Sequence, residues 1–412
     1  MRGGRSPGPA GATPRGGWPL AVWLAVLAVA LIARLAFVAV VPPNIQWSDG
    51  REYEQVAHLL VEHGTYGLQT LRAPGYPTLI AAVYAVLGPN LVALRIVEAF
   101  LGALAVVLIG VVGARAFGRS AGLVGGALAA VHPVMAFLPS TQYCENTLVL
   151  AVAVALGQVL GAWRSGGLWR WAASGVLFGL AILVRPNAVL MLPGLAVGLA
   201  CALRAARRSW LAPAVACTVA LALTLAPWVI RNHRVQGRWY FVTTGGGRQF
   251  WFGNNPRASA DMRVAIEPDS ATLAGLNRLE DDAARERYLY QRGWEFIRAH
   301  PGRAARLYLR ELRNLFALYP DTVSQIYINA WSRWAQGLMS AVVFAGALIA
   351  LARFRSEPAL WMLAGAIASY ALGCAAFLTI MRYRLAIEPC LLCMAGLGWT
   401  TVWARRAQSV KR

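Results

Sequence analysis

Long apolar runs separated by short polar turns dominate the chain from residue 18 onwards. Most of them approach the roughly 20 residues that a helix needs to cross a bilayer. The pattern predicts an all-α polytopic membrane protein with a bundle of about ten transmembrane helices. The predicted spans are 18–41, 91–113, 120–138, 146–163, 171–184, 187–204, 210–230, 337–352, 358–378 and 385–403.

One further apolar run, PGYPTLIAAVYAVLG at 74–88, is short and bounded by Pro and Gly. We interpret it as re-entrant or interfacial, because counting it as a full span would reverse the orientation of everything after it. The positive-inside rule favours the ten-span arrangement, in which the cation-rich short turns are cytoplasmic. Those turns contain Arg115, Arg119, Arg164, Arg170, Arg204, Arg207, Arg208, Arg353 and Arg355.

The ten-span arrangement predicts two large segments on the outer side of the membrane. The apolar run at 18–41 is too long for a signal peptide, so we expect an uncleaved first span with a cytoplasmic N-terminus. The predicted organisation is a cytoplasmic tail at 1–17, a membrane domain at 18–230 with a first outer loop at 42–90, a large outer loop at 231–336, C-terminal membrane helices at 337–404 and a cytoplasmic tail at 405–412.

Composition supports lipid as the solvent of this chain. Its residues are 58% hydrophobic and 14% charged, whereas soluble domains are about 45–50% apolar and about 25% charged. The net charge of +21 does not indicate nucleic-acid binding, because the arginines lie largely in loops between apolar runs, where membrane topology explains many of them. Of the 18 acidic residues, all except Glu357 fall in outer loops or near the outer ends of spans.

A basic amphipathic pattern occupies 303–318 in the large outer loop, with the sequence RAARLYLRELRNLFAL. Its Leu, Tyr and Phe recur at helical spacing against Arg. Such a helix either lies in the headgroup plane or packs on the rest of the loop, and the sequence leaves both alternatives open.

Carboxylates near the outer boundary are candidates for acid–base chemistry. Asp49 follows the first span in a turn-like Ser-Asp-Gly, so it is either a helix N-cap or a general base presented to a cavity. Glu52 follows on the start of the next helix. Glu145 and His132 lie near the outer ends of their spans, where ionisable groups suggest function, and are candidates for a supporting role.

Arginines at the same depth are candidates for binding a phosphate group. Arg72, Arg185, Arg382 and Arg384 lie in three separate segments, and the planar guanidinium matches phosphate oxygens with two parallel hydrogen bonds. Two alternatives remain. The first is that each arginine is a snorkelling anchor at the membrane interface. The second concerns Arg384, which has the i,i+4 spacing of a structural ion pair with Glu388.

The stretch TTGGGRQFWFGNNPRASA at 243–260 combines glycines, aromatic rings and two amides. Loops that handle sugars are often lined by aromatic faces and amide donors. Trp251, Asn254 and Asn255 are therefore candidates for contacting the sugar or the acceptor, and a tight structural turn is the alternative.

The order of these motifs resembles bacterial members of the GT-C superfamily, namely the family-39-like, polyprenyl-phosphate-dependent glycosyltransferases. Protein O-mannosyltransferases and the lipid A aminoarabinose transferase are similar. The resemblance covers about residues 40–390. The matching segments are SDGREYEQVAHLL at 48–60, RAPGYP at 72–77, ALRIVEAFLGAL at 93–104, FGRSAGLVGGALAAVHP at 117–133, LVRPNA at 183–188, PWVIRNHRVQGRW at 227–239, FWFGNNPRA at 250–258 and RYRLAIEP at 382–389.

The resemblance implies a GT-C fold and sugar transfer from a polyprenyl-phosphate donor on the outer side of the cytoplasmic (inner) membrane. It assigns Asp49 to activating the acceptor hydroxyl and Arg72 to holding the lipid phosphate. The acceptor is a glycan, a lipid or a protein. A flippase or transporter of lipid-linked sugars is the main alternative, and a non-catalytic envelope-assembly protein is another.

The chain departs from the family pattern at two positions. Many relatives have Asp-Glu in the first-loop motif, whereas here Gly50 follows Asp49. Some relatives carry an acid just before the Pro-rich helix, where this chain has Leu71. No cofactor is therefore assigned, and a divalent metal held by Glu145 or His132 stays open.

Overall fold

Helices account for all the regular structure that a computed structural model of the protein describes, in residues 20–42, 48–260, 268–279, 282–319 and 330–409. The α-helices are α1 (Leu20–Val40), α2 (Ser48–His63), α3 (Gly75–Leu87), α4 (Leu91–Phe117), α5 (Arg119–Ala130), α6 (Pro133–Phe137), α7 (Glu145–Ser165), α8 (Leu168–Val184), α9 (Leu192–Ala205), α10 (Leu211–Gln236), α11 (Gly246–Gly253), α12 (Ser270–Asn277), α13 (Asp282–Ala299), α14 (Pro301–Leu315), α15 (Ala330–Arg353), α16 (Pro358–Cys374) and α17 (Glu388–Ser409).

Short 3₁₀ helices follow three breaks in the bundle, at Leu138–Ser140, Pro186–Met191 and Met381–Ala386. Candidate arginines lie at the last two breaks. Pro186 cannot continue α8, because its ring removes an N–H donor and clashes with the preceding turn. The chain therefore leaves helical geometry at Arg185, whose backbone is extended.

The apolar helices agree with the predicted spans. Each predicted span overlaps a helix, and six helices among the described residues are long and apolar enough to cross a membrane. A seventh results if Arg119–Ala130 and Pro133–Ser140, bent by 56°, form one broken span. Gly75–Leu87, Leu168–Val184 and Pro358–Cys374 are shorter apolar helices. The chain is thus a multi-pass membrane protein, and the number of crossings stays a prediction.

Small residues allow the membrane helices to approach closely. Gly194 on α9 faces Gly365 on α16, and a Cβ on either residue would collide with the backbone carbonyl of the other. Within a bilayer, helix association depends on van der Waals packing, so such small contacts stabilise the interface.

Helix α3, the run interpreted as re-entrant or interfacial, is a 13-residue helix packed on protein. Tyr76, Ile80 and Tyr84 are buried on it, and its first residue, Gly75, lies against the backbone of Leu183 and Val184 at the end of α8. This contact brings the segment before α3, which contains Arg72, next to the segment after α8, which contains Arg185.

In the described part of 231–336, the predicted large outer loop, helices α11 to α14 pack on one another and on the membrane bundle. Leu307 and Leu315 on α14 are buried, whereas Arg303 and Arg310 are exposed. Tyr308 Oη donates to the Leu372 carbonyl on α16 at 2.8 Å. The apolar face of α14 is therefore packed against protein, which is the second of the two alternatives for 303–318.

Candidate active site

A cavity of about 1020 Å³ opens between the bundle and the outer loop. One part of its lining, here called the charged wall, carries Asp49, Glu52, Arg72, Arg185 and Arg382. These residues come from the start of α2, the segment before α3, the end of α8 and the 3₁₀ helix at Met381–Ala386. The other wall comes from residues 238–252 and from α13. It contains the aromatic side chains of Trp239, Tyr240, Phe241, Phe252 and Tyr290, together with the charged side chains of Arg238, Arg248, Glu286 and Arg287.

Asp49 lies at the centre of the charged wall, between two arginines. Arg72 Nη2 donates to Asp49 Oδ1 at 3.0 Å, and Arg382 Nη2 donates to Asp49 Oδ2 at 2.8 Å. The Arg72 Nε also donates to Glu52 Oε2 at 2.8 Å. Asp49 and Glu52 are one helical turn apart on α2, so they face the same arginine.

Glu145 continues this series of alternating charges behind the cavity wall. Its Oε1 lies 3.2 Å from Arg382 Nε and accepts a hydrogen bond from Arg185 Nη1. The Glu145 side chain is 1% exposed, whereas Arg185 and Arg382 line the cavity. A buried carboxylate thus holds two cations at the surface of the cavity. That Glu145 has a supporting role in catalysis stays a prediction.

Each of the three arginines also stacks on a tyrosine ring. Arg72 lies over Tyr53 at 5.0 Å, Arg185 over Tyr383 at 4.6 Å and Arg382 over Tyr143 at 4.0 Å. Cation–π contacts of this kind favour the charged guanidinium and restrict its orientation. Sequence reasoning misses these tyrosines. Tyr53 follows Asp49 by one helical turn, and Tyr383 separates the two arginines of Met-Arg-Tyr-Arg, so their spacing carries a weak signal.

The environment of Asp49 favours the carboxylate. Burial opposes its ionisation, but the charges of Arg382 and Arg72 outweigh this effect and lower the pKa of Asp49 to about 2. In the ligand-free protein Asp49 is therefore an anion shared by two guanidiniums, and both of its oxygens already accept hydrogen bonds.

The charged wall does not suit a divalent metal. Both Asp49 oxygens and Glu145 Oε1 are engaged by guanidiniums, which would repel a metal ion at the same position. Among the residues that the structure describes, no three His, Cys, Asp or Glu side chains cluster as metal ligands.

Two predicted residues lie apart from the large cavity. Arg384 is 2% exposed, and its donors bind Glu388 Oε1, Ser340 Oγ and the Ala317 carbonyl, each at 2.8 Å. The i,i+4 pairing with Glu388 matches the structural alternative, so Arg384 is not grouped with the other three arginines. His132 is also buried, 3.8 Å from Glu388 Oε1.

The three residues predicted for sugar or acceptor contact do not line the cavity. Trp251 is 3% exposed and Asn255 1% exposed. Asn255 Nδ2 donates to the Trp251 carbonyl at 2.9 Å, and Asn254 Nδ2 donates to the Phe250 and Ala376 carbonyls at 2.9 Å. These amides bind carbonyls of α11, and Asn254 attaches α11 to the end of α16. The segment has the geometry of the structural-turn alternative.

Other residues of the same segment contribute to the cavity instead. Gly245, Gly246, Arg248 and Gln249 line it. Glu286 on α13 fixes their backbone, because its two carboxylate oxygens accept from Gly245 N at 2.7 Å and Gly247 N at 2.8 Å. Nothing in the sequence predicts this contact, because no local pattern links positions 41 residues apart.

Comparison with known proteins agrees with the fold. The profile of the family described as dolichyl-phosphate-mannose-protein mannosyltransferase matches residues 71–230. Comparison with curated proteins finds no significant match.

Among solved structures, the oligosaccharyltransferase of Archaeoglobus fulgidus in the apo form matches with a TM-score of 0.57 at 15% identity, over 96% of this chain and 52% of that chain. The archaeal oligosaccharyltransferase AglB from Archaeoglobus fulgidus, in complex with an inhibitory peptide and a dolichol-phosphate, matches with a TM-score of 0.53 at 13% identity, over 95% and 52%. ArnT from Cupriavidus metallidurans bound to undecaprenyl phosphate gives a TM-score of 0.40 at 18% identity, over 93% and 77%.

The chain spans about half the length of the oligosaccharyltransferases that it matches. At these identities the similarity to the oligosaccharyltransferases concerns the fold, and the predicted GT-C architecture is confirmed.

Proposed function

We propose that this chain is a GT-C membrane glycosyltransferase that transfers a sugar from a polyprenyl-phosphate donor to an acceptor hydroxyl, and the match of residues 71–230 to the mannosyltransferase family profile supports this. The reaction takes place at the outer face of the cytoplasmic membrane. The observation that carries this proposal is the convergence of Arg72, Arg185 and Arg382 on one wall of a cavity, around the carboxylate of Asp49.

The three arginines suit the phosphate of a lipid carrier. Each guanidinium is a fixed, permanently charged fork that binds phosphate oxygens in pairs. They come from segments at the ends of apolar helices, where a phosphate attached to a membrane-embedded chain would lie. AglB, a structural match, was solved with a dolichol-phosphate, which supports the same class of ligand here.

The chemistry is a single displacement at the anomeric carbon. The acceptor oxygen forms a bond to this carbon while its proton passes to Asp49, and the carbon–oxygen bond to phosphate breaks. The electron pair of the broken bond stays on the phosphate, which departs as polyprenyl phosphate. Preorganised cations stabilise the negative charge that develops there, and this lowers the barrier.

Donor binding would also make Asp49 a better base. With a pKa of about 2, its carboxylate has little tendency to take a proton while it binds Arg72 and Arg382. A bound phosphate competes for the same two guanidiniums and weakens their hold on Asp49. Glu145 keeps its ion pairs behind the wall, so the arginines stay in position. We infer that the donor binds before the acceptor is activated.

The acceptor would lie against the other wall of the cavity. That wall carries aromatic rings, including Trp239 and Phe252, whose faces can stack on apolar sugar or side-chain surfaces. The acceptor hydroxyl must come within about 3.2 Å of Asp49 for proton transfer.

The test is transfer of a labelled sugar from a synthetic polyprenyl-phosphate donor by the purified protein in lipid nanodiscs, supplied with envelope extract as acceptor. We expect Asp49→Asn to lower the transfer rate by about 10²- to 10⁴-fold, because a general base contributes about that much. Asn keeps the size of the side chain, so donor binding should persist. Full transfer by Asp49→Asn would refute the assigned role, and donor binding without transfer by the wild type would favour a carrier protein.

A further inference from the structure

Arg382 lies between two cavities. Arg382 lines the large cavity and also a small space that is otherwise lined by His132, Val134, Gln336, Met381, Arg384, Leu385 and Glu388. Among the described residues, Arg382 alone lines both. The small cavity offers ≈ 10 Å³ to a water-sized sphere, which is about the space that one water occupies.

Four buried polar atoms without hydrogen-bond partners belong to side chains that line this small space. They are His132 Nε2, Gln336 Oε1, Arg382 Nη1 and Glu388 Oε2. The contact between His132 Nε2 and Glu388 Oε1, at 3.8 Å, is longer than a direct hydrogen bond. Leaving buried polar atoms unpaired is unfavourable, and native proteins usually satisfy such groups with protein or ordered water. Four such atoms around a space of this size indicate one shared ligand.

The hydrogen-bonding character of the four atoms is balanced. His132 Nδ1 accepts from the Met135 backbone N–H at 3.3 Å, so the proton of the neutral imidazole is on Nε2. Gln336 Nε2 donates to Ser340 Oγ at 3.0 Å, which leaves the amide oxygen for the cavity. Arg382 Nη1 is a donor and Glu388 Oε2 an acceptor. Two donors and two acceptors match the two lone pairs and two hydrogens of water.

Charge excludes the other small ligands. The guanidiniums of Arg382 and Arg384 border the space, so a metal cation would be repelled. The Glu388 carboxylate borders it as well and disfavours an anion. A neutral molecule of water size remains.

We propose that one ordered water binds in this cavity and holds Arg382 in the orientation that serves the donor phosphate. The water accepts from His132 Nε2 and Arg382 Nη1 and donates to Gln336 Oε1 and Glu388 Oε2. The water binds Nη1 of Arg382, while Nη2 of the same guanidinium contacts Asp49 and Nε contacts Glu145. All three nitrogens of Arg382 then have a partner. His132 is thereby a positioning residue that acts on Arg382. The effect on the donor rests on the proposed function, whereas the water site does not.

The water site is tested by a high-resolution electron cryo-microscopy map of the full chain in nanodiscs. We expect a density peak within about 2.7–3.2 Å of all four atoms. A collapsed cavity, or no peak where other buried waters are visible, would overturn the proposal. This measurement requires no sugar transfer, so it stands if the proposed function fails.

The positioning role is tested with two substitutions of His132. His132 caps α6 through Nδ1. His132→Asn keeps a capping acceptor but removes the Nε2–H donor, whereas His132→Gln restores an amide N–H near the Nε2 position. We expect His132→Asn to raise the KM for the polyprenyl-phosphate donor about 3- to 10-fold, the range that one lost hydrogen bond allows.

In the same assay the kcat of His132→Asn should stay within about twofold of the wild-type value. Its unfolding temperature should not change, because Asn keeps the helix cap. His132→Gln should return the donor KM to near the wild-type value. An unchanged KM in His132→Asn, or equal effects of both variants, would overturn the positioning role. If His132→Asn does not fold, Gln336→Met removes an acceptor on α15 instead, and the same rise in donor KM is expected.

Discussion

Arg382 and Asp49 share an ion pair of 2.8 Å although they are 333 positions apart in the sequence. The first outer segment and the last 3₁₀ helix therefore meet at one carboxylate. Because Arg382 also lies 3.2 Å from Glu145, three distant parts of the chain determine the orientation of a single guanidinium. The site forms only when the bundle is complete.

Arg72 should control donor affinity through both its charge and its shape. We expect Arg72→Ala to raise the donor KM by at least about tenfold, and Arg72→Lys to restore only part of it, because an ammonium cannot form two parallel bonds to phosphate. Donor titrations of the purified variants measure this. Arg306→Ala, on the exposed face of α14, is the control and should behave like the wild type. A wild-type donor KM in Arg72→Lys would mean that only the charge of Arg72, and not its shape, determines donor affinity.

Activity should depend on pH differently before and after donor binding. In the free protein the pKa of Asp49 is about 2, so the carboxylate stays ionised as the pH falls to near that value. Once phosphate draws the arginines away, Asp49 should protonate at a higher pH, at or above the value of about 3.9 for an unperturbed Asp. We expect kcat/KM for the donor, which reports the free enzyme, to show no acid limb above about pH 4.

At saturating donor, by contrast, kcat/KM for the acceptor should fall as the pH drops through about 4–5. Identical acid limbs under the two conditions would contradict the inferred order of binding. The wild type with an acceptor of known pKa controls for titration of the substrate.

Glu145 should matter more to stability than Glu52, although both are carboxylates paired with arginine. The Glu145 side chain is 1% exposed and that of Glu52 is 45% exposed. Removing one partner of a buried pair destabilises a protein by about 3–5 kcal/mol, whereas exposed pairs contribute about 0–1 kcal/mol. Thermal unfolding of Glu145→Gln and Glu52→Gln in the same detergent compares them. A similar loss of stability in the two variants would argue against Glu145 as the buried carboxylate that holds the arginines in place.

The close contact between α9 and α16 should not tolerate a methyl group. We expect Gly194→Ala to destabilise the protein by about 1–3 kcal/mol, the usual effect of overpacking. A methyl group at Gly161 on α7 would have no neighbouring atom within 4 Å, so Gly161→Ala is a matched control and should be neutral or slightly stabilising through helix propensity. Midpoints of thermal unfolding in detergent measure both. A larger loss for Gly161→Ala than for Gly194→Ala would contradict the assignment of a close contact between α9 and α16.

Sequence patterns predict part of the candidate site. Asp49 is a candidate because it lies in a turn just after the first span, where it can act as a base. Arg72, Arg185 and Arg382 are candidates because guanidiniums at the depth of the headgroups suit a phosphate. The structure brings these four residues together. Trp251, Asn254 and Asn255 are candidates on composition alone. Composition does not distinguish an amide that faces a cavity from one that caps the end of a helix.

The all-helical membrane architecture follows from local sequence, because partition of a helix into lipid depends on the local run of apolar residues. Local sequence also determines which segments carry charge at their ends. Which of the charged side chains contact one another depends on how the helices pack, and local sequence carries no signal for this. Arg382 and Arg384 are two residues apart on a 3₁₀ helix with about three residues per turn, so they point in different directions. Arg382 reaches Asp49 at the large cavity, and Arg384 is buried against Glu388.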